Sequence, residues 1–173
     1  MGMATTAILT AASTNVTPPP EFHELYDRFS ETVLKTALRV TGNMQDAEDI
    51  LQTVFLKVWD QKLKLDPVLS PERYLRRSAT NAAIDLLRHK NYLAESEMLD
   101  GFDYGGKDST PLLKERLRRA LAKIPQEDAE LFALCYLEGY TYDELAAQLN
   151  LERGTVASRL HRIKASLQKL LSR

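Results

Sequence analysis

The chain has 173 residues, 44% of them hydrophobic and 27% charged, with a formal net charge of −1. That length suits one medium domain or two small ones of ordinary globular composition. No run approaches the roughly eighteen apolar residues of a membrane span, so no membrane insertion is expected, and the near-zero total charge hides an uneven distribution.

Residues 1–20, MGMATTAILTAASTNVTPPP, have neither a basic n-region nor a convincing apolar core, which makes a poor signal peptide. Their Ala/Thr bias and Pro18–Pro20 predict a disordered leader. From there the apolar period is helical almost everywhere, so the expected fold class is all-α. Phe22, Leu25, Phe29, Val33, Ala37 and Val40 line a first helix ending at Gly42. Asn43 can cap a second, with Ala47, Ile50, Leu51, Val54 and Val58 inward. Pro67 breaks the chain. Ser70 then caps a third helix with Pro71 at its first position, and Leu75, Ala79, Ala82 and Leu86 face inward.

Periodicity fails from about Tyr92 to Thr110, where the chain is acidic, Gly-containing and polar, as a flexible linker would be. Residues 95–115 hold six acids and two bases, against five bases and two acids in 72–90 and six bases and one acid in 152–173. Two basic segments therefore flank an acidic one, and Asp100, Asp103 and Asp108 could lean on the basic faces when those faces have no other partner. Thr110–Pro111 opens a fourth helix running to about Lys123, and Pro125 starts a fifth ending at Gly139. Cys135, the only cysteine, lies on that helix's apolar face, as a buried structural thiol would. The absence of a secretory or membrane segment and this cysteine usage point to the cytoplasm.

The final stretch, YTYDELAAQLNLERGTVASRLHRIKASLQKLLSR, reads as helix, tight turn, helix. Thr141 and Glu144 have the spacing of a capping box, and Tyr140 and Leu145 that of a hydrophobic staple. Gly139 suits a left-handed helix terminator, Asn150 tolerates positive φ at the turn, and the small Ala146 lets the two helices approach. Val156, Leu160, Ile163, Leu167 and Leu170 form one apolar stripe. Ser158, His161, Arg162 and Ala165 point the other way, and Arg153, Gly154 and Thr155 occupy the first turn, whose N–H groups suit a phosphate. This is the layout of a DNA-reading helix-turn-helix.

Enzyme readings are poor. Glu48 and Asp49 are adjacent, so they do not share a helix face. His23, His89 and His161 fall on three separate helices without ligand spacing. No Walker loop or dinucleotide glycine fingerprint occurs, and Ser158 with His161 lacks a third group. No catalytic residue, metal site or cofactor is expected.

Three motifs in order carry a resemblance: DAEDILQTVFLKVW (46–59), SPERYLRRSATNAAIDLLRHK (70–90) and IPQEDAELFALCYLEGYTYDELAAQLNLERGTVASRLHR (124–162). Together the chain resembles a bacterial RNA polymerase sigma factor of the extracytoplasmic-function, or group IV, class. The resemblance covers about 22–90 and 112–171. It implies a leader at 1–20, a three- or four-helix sigma2-like domain at 21–91, a linker at 92–110 and a four-helix sigma4-like domain at 111–173.

By that resemblance, Asp49, Gln52, Thr53, Phe55, Leu56 and Trp59 dock on the β′ coiled coil of core RNA polymerase. The β flap would be a second polymerase contact. Arg73, Tyr74, Arg76, Arg77, Asn81, Arg88 and Lys90 read and melt the minus-10 region, with the loop 63–69 helping to form a base pocket. Arg153, Gly154, Thr155 and Arg159 hold minus-35 phosphates, and Ala157, Ser158, His161 and Arg162 face its bases. The family usually has Glu at Thr53, commonly Trp at Tyr74, and often a basic residue at Ala157. It also implies an anti-sigma factor, a stress- or envelope-responsive regulon, and a protein at the nucleoid when active or held at the membrane by its anti-sigma partner. From the residues alone, a stand-alone dimeric helix-turn-helix regulator remains the alternative.

Overall fold

The computed structural model describes residues 20–60, 70–96 and 110–172, and every described element is a helix. In chain order these are α1 (Pro20–Thr41), α2 (Met44–Asp60), α3 (Pro71–Ser96), α4 (Thr110–Lys123), α5 (Gln126–Tyr136), α6 (Tyr142–Leu149) and α7 (Arg153–Leu171). The expected leader, the loop 63–69 and the central acids Asp100, Asp103 and Asp108 lie outside the described residues.

The helix starts follow from local chemistry. The Asp46 N–H donates to Asn43 Oδ1 at 3.0 Å, and the Arg73 N–H donates to Ser70 Oγ at 3.3 Å, with Pro71 opening α3. Both are side-chain caps on otherwise unpaired amides. Gly42 closes α1 at φ +68°, a conformation that a Cβ would strain. That added Cβ would also fall on the Arg118 guanidinium of α4, so the two halves of the chain meet there.

Helices α1 and α2 bury one face each. Tyr26, Phe29, Val33, Ala37 and Val40 meet Ala47, Ile50, Leu51, Val54, Phe55 and Val58. At the open end of this layer Phe22, Tyr26, Phe55 and Trp59 pack edge to face, with ring centroids 4.9 Å apart for Tyr26–Phe55 and 5.2 Å for Phe22–Trp59.

Helix α3 departs from the expected single inner face. Leu75 and Ala79 are buried, but Ala82 and Leu86 are only half-buried, and Ala83 and Ile84 are fully buried instead. The reason is tertiary. Helix α3 packs on α1 and α2 along one side and on α4 and α5 along the other. A helix sandwiched in this way buries more than one stripe. Its residues, those of α1 and α2, and Leu121, Ile124, Leu131 and Leu134 from the second half belong to one continuous core. Helix α3 also runs through Tyr92 to Ser96, past the point where the apolar period lapses.

In the second half, α5 begins after Pro125 without a side-chain cap. Cys135 is half-buried, and burial pushes its thiol pKa up, so it stays protonated and behaves as a packing residue. The expected caps follow. Gly139 takes φ +78° and Asn150 φ +53°. The Glu144 N–H donates to Thr141 Oγ1 at 3.3 Å, and the Thr141 N–H donates to Glu144 Oε2 at 2.9 Å. Leu145 is fully buried beneath the half-buried Tyr140.

The two Thr141 donors, its amide first, hold the Glu144 carboxyl below the ordinary carboxylate range. A depressed folded pKa means that this stabilisation is full above the unfolded value and fades as pH falls through the lowered one. Thr141→Ala removes the cap and is expected to cost about 1 kcal/mol. A thermal melt should show a midpoint about 2–4 °C lower, and an unchanged midpoint would remove the box from the account of α6.

Candidate nucleic-acid interface

Helix α7 carries the first face. Val156, Leu160, Ile163 and Leu167 are buried and Leu170 is half-buried, which fixes the helix roll. Ser158, His161, Arg162 and Ala165 are exposed, as are Arg153, Gly154 and Thr155 in the first turn. Ala157 is half-buried at the edge of this face. Ser158 Oγ donates to the Thr155 carbonyl at 3.0 Å, a local bond that water or a base could replace. Among the described residues nothing ties down Arg162 or His161.

Arg159 behaves differently from the expected phosphate ligand. It is half-buried and clasped by Asp128 at 2.9 Å and Glu127 at 3.3 Å, both in the first turn of α5. In this state it ties α7 to α5. Arg153 pairs with Asp143 at 3.1 Å, but both are well exposed, so solvent weakens that bond. Lys164 lies 4.7 Å over the Tyr136 ring and holds α7 to α5 on the far side.

Helix α3 carries the second basic set, and here the structure adds what the sequence hides. Arg73 pairs with Glu144 at 3.0 Å, Arg76 with Glu138 at 3.1 Å and Arg77 with Glu130 at 2.6 Å. Arg88 donates to the Ile124 carbonyl at 2.7 Å. All four partners belong to the second half of the chain, 36 to 71 residues away. Lys90 instead pairs with Asp46 of α2 at 2.6 Å. Tyr74 is half-buried against the core, and Asn81 has a buried carboxamide oxygen without a hydrogen-bond partner.

The third face is on α2. Asp49, Gln52, Thr53 and Leu56 are exposed, Leu56 at 49%. Trp59 is half-buried. Phe55 corrects the sequence reading: it is 0% exposed, packed against Phe22 and Tyr26. It follows the apolar period of α2, one residue from Leu56 but 100° around the helix, and so belongs to the core rather than to a docking surface.

Residues 25–92 match the sigma-70 region 2 family and residues 114–167 match the sigma-70 region 4 family. This chain belongs to the extracytoplasmic-function sigma factors. It is 30% identical over 162 residues to the ECF RNA polymerase sigma factor SigE of Mycolicibacterium smegmatis, spanning 89% of this chain and 63% of that one. It thus covers less than two thirds of that relative's length. It is 29% identical to the RNA polymerase sigma factor CarQ of Myxococcus xanthus, over 87% of this chain and 88% of CarQ. The fold is similar to that of CnrH, solved with the cytosolic domain of CnrY, with TM-score 0.54 and 24% identity over 98% of this chain and 94% of CnrH. It is also similar to the sigma factor RpoE of Bartonella quintana, solved with the anti-sigma factor NepR, with TM-score 0.53 and 19% identity over 89% of this chain and 98% of RpoE. Among the described residues of this sigma factor, no helix is long and apolar enough to cross a membrane.

Proposed function

We propose that this sigma factor binds core RNA polymerase through the exposed face of α2 and directs it to promoters through α3 and α7. Under this reading residues 21–91 dock and melt, residues 111–173 read duplex DNA, residues 92–110 link them and residues 1–20 lead in. The observation that carries it is α7: its apolar stripe is fully engaged, while Ser158, His161 and Arg162 stand exposed and unengaged by other side chains on one face. Such a face supplies donors for base edges and phosphates in a major groove.

The polymerase performs the covalent chemistry, and the sigma factor supplies binding and strand capture. An anti-sigma factor controls access to these faces, as the partners of the two solved relatives suggest by analogy. The protein acts in the cytoplasm, at the nucleoid when active, or is held at the membrane through its anti-sigma factor.

Run-off transcription with purified core polymerase and a genomic promoter library tests the reading. New transcripts sharing paired upstream motifs are expected only when the protein is added. No transcripts, together with no stable complex on a sizing column, would overturn it.

A further inference from the structure

Three arginines of α3, Arg73, Arg76 and Arg77, are paired with carboxylates from the second half of the chain, and Arg76 also pairs with Glu72 of its own helix at 2.9 Å. Glu138, just beyond the end of α5, is at the centre. Its side chain is fully buried, and it accepts from Thr36 Oγ1 at 2.8 Å, Arg39 at 3.0 Å and Arg76 at 3.1 Å. One carboxylate thereby joins α1, α3 and the second half of the chain. Glu130 is 8% exposed and takes Arg77 at 2.6 Å, and Glu144 takes Arg73. Arg118 of α4 donates to the Val40 carbonyl at 3.1 Å, on the far side of the same seam.

A buried carboxylate facing two guanidiniums presents the charge and oxygen geometry of a phosphate. The Glu138 carboxylate has lost its water while Arg39 and Arg76 keep 48% and 26% of their side-chain exposure, so the cluster is weak evidence of net stability and a better candidate for a switch.

We propose that Glu138, with Glu130 and Glu144, is a built-in latch that occupies the α3 arginines, so that the free protein is closed to single-stranded promoter DNA until the strand phosphates displace the carboxylates. The inference rests on the reading of α3 as the minus-10 element. It assigns the closing contacts to α5 and the segment that follows it, not to the acidic linker. A protein that spends roughly one tenth of its time open binds about tenfold more weakly than its open form. Unlatching should recover that factor.

The test uses the full chain, a fluorescent random-sequence single strand, and small-angle scattering for the radius. Glu138→Gln with Glu130→Gln keeps shape and removes the charge. Arg39→Ala loosens Glu138 from a half-exposed residue outside the minus-10 set and guards against a folding defect in the first variant. Both are expected to enlarge the radius and tighten strand binding about tenfold. Arg77→Ala, placed in the opened background, is expected to weaken binding again. If radius and affinity stay unchanged in both variants while Arg77→Ala still weakens binding, the latch is overturned and the minus-10 reading stands. If the radius grows but affinity does not, and Arg77→Ala has no effect, the minus-10 reading falls and the competition falls with it.

Discussion

Phe55→Ala should melt this protein well below the parent, whereas Leu56→Ala should leave its melt in place and weaken its hold on core polymerase. The two residues are neighbours with opposite surroundings. Phe55 is 0% exposed, with Tyr26 at 4.9 Å and Phe22 at 6.0 Å between ring centroids. Removing a buried phenyl ring costs about 3–5 kcal/mol through lost transfer energy and the cavity left behind. At this chain length that lowers the midpoint by about 6–20 °C.

Leu56 is 49% exposed, and truncating an exposed side chain usually changes stability by less than about 0.5 kcal/mol. As an apolar anchor among Asp49, Gln52 and Thr53, it has the composition of an interface centre with a polar rim. Losing such an anchor costs about 2 kcal/mol, or roughly thirtyfold in affinity. Sizing-column titration with core polymerase measures this directly. A Leu56→Ala protein that melts normally and binds normally would move the docking surface off this face of α2.

How far the sequence reveals this molecule depends on range along the chain. Caps and turns are local, so Asn43, Ser70, Thr141 with Glu144, Gly139 and Asn150 could be placed from spacing alone, and the structure puts each in that role. The stripe of α7 was equally legible because only one of its faces is buried. Helix α3 was less so. Its burial of Ala83 and Ile84 depends on a second layer supplied by α4 and α5, and no local period encodes that layer.

The ion pairs of Arg73, Arg76 and Arg77 were hidden for the same reason. Each basic residue could be read as a ligand for phosphate, but the carboxylate that ties it to the second half lies 53 to 71 residues downstream; only the Arg76–Glu72 pair, four residues apart on α3, is local. Phe55 was misread because a family motif names positions without saying which face of a helix they occupy. Its place in the apolar period with Leu51, Val54 and Val58 was the available signal.

Arg162→Ala and Arg159→Ala separate a residue that waits for DNA from one already engaged. Both are cations on α7, three positions apart. Arg162 is exposed, and no ion pair holds it among the described residues. If it reads a base, its loss costs about 1–3 kcal/mol, or roughly 5–150-fold, on the preferred upstream element and relaxes selectivity at one position. If it grips phosphate, binding weakens evenly across sequences and the log–log salt slope falls by about one. Either way the melting midpoint should hold, because nothing buried is disturbed.

Arg159 is 23% exposed at its side chain and bound to Asp128 and Glu127. Its removal leaves two carboxylates facing the α5–α7 seam and should cost about 1–2 kcal/mol of stability after discounting for solvent. The salt slope should stay nearly unchanged in that variant. Duplex binding measured at several salt concentrations, beside a melt of each variant, distinguishes these outcomes. A slope that drops for Arg159→Ala at an unchanged midpoint would mean that DNA takes Arg159 from its carboxylates, and Arg159 would then be the phosphate ligand that the family resemblance implies.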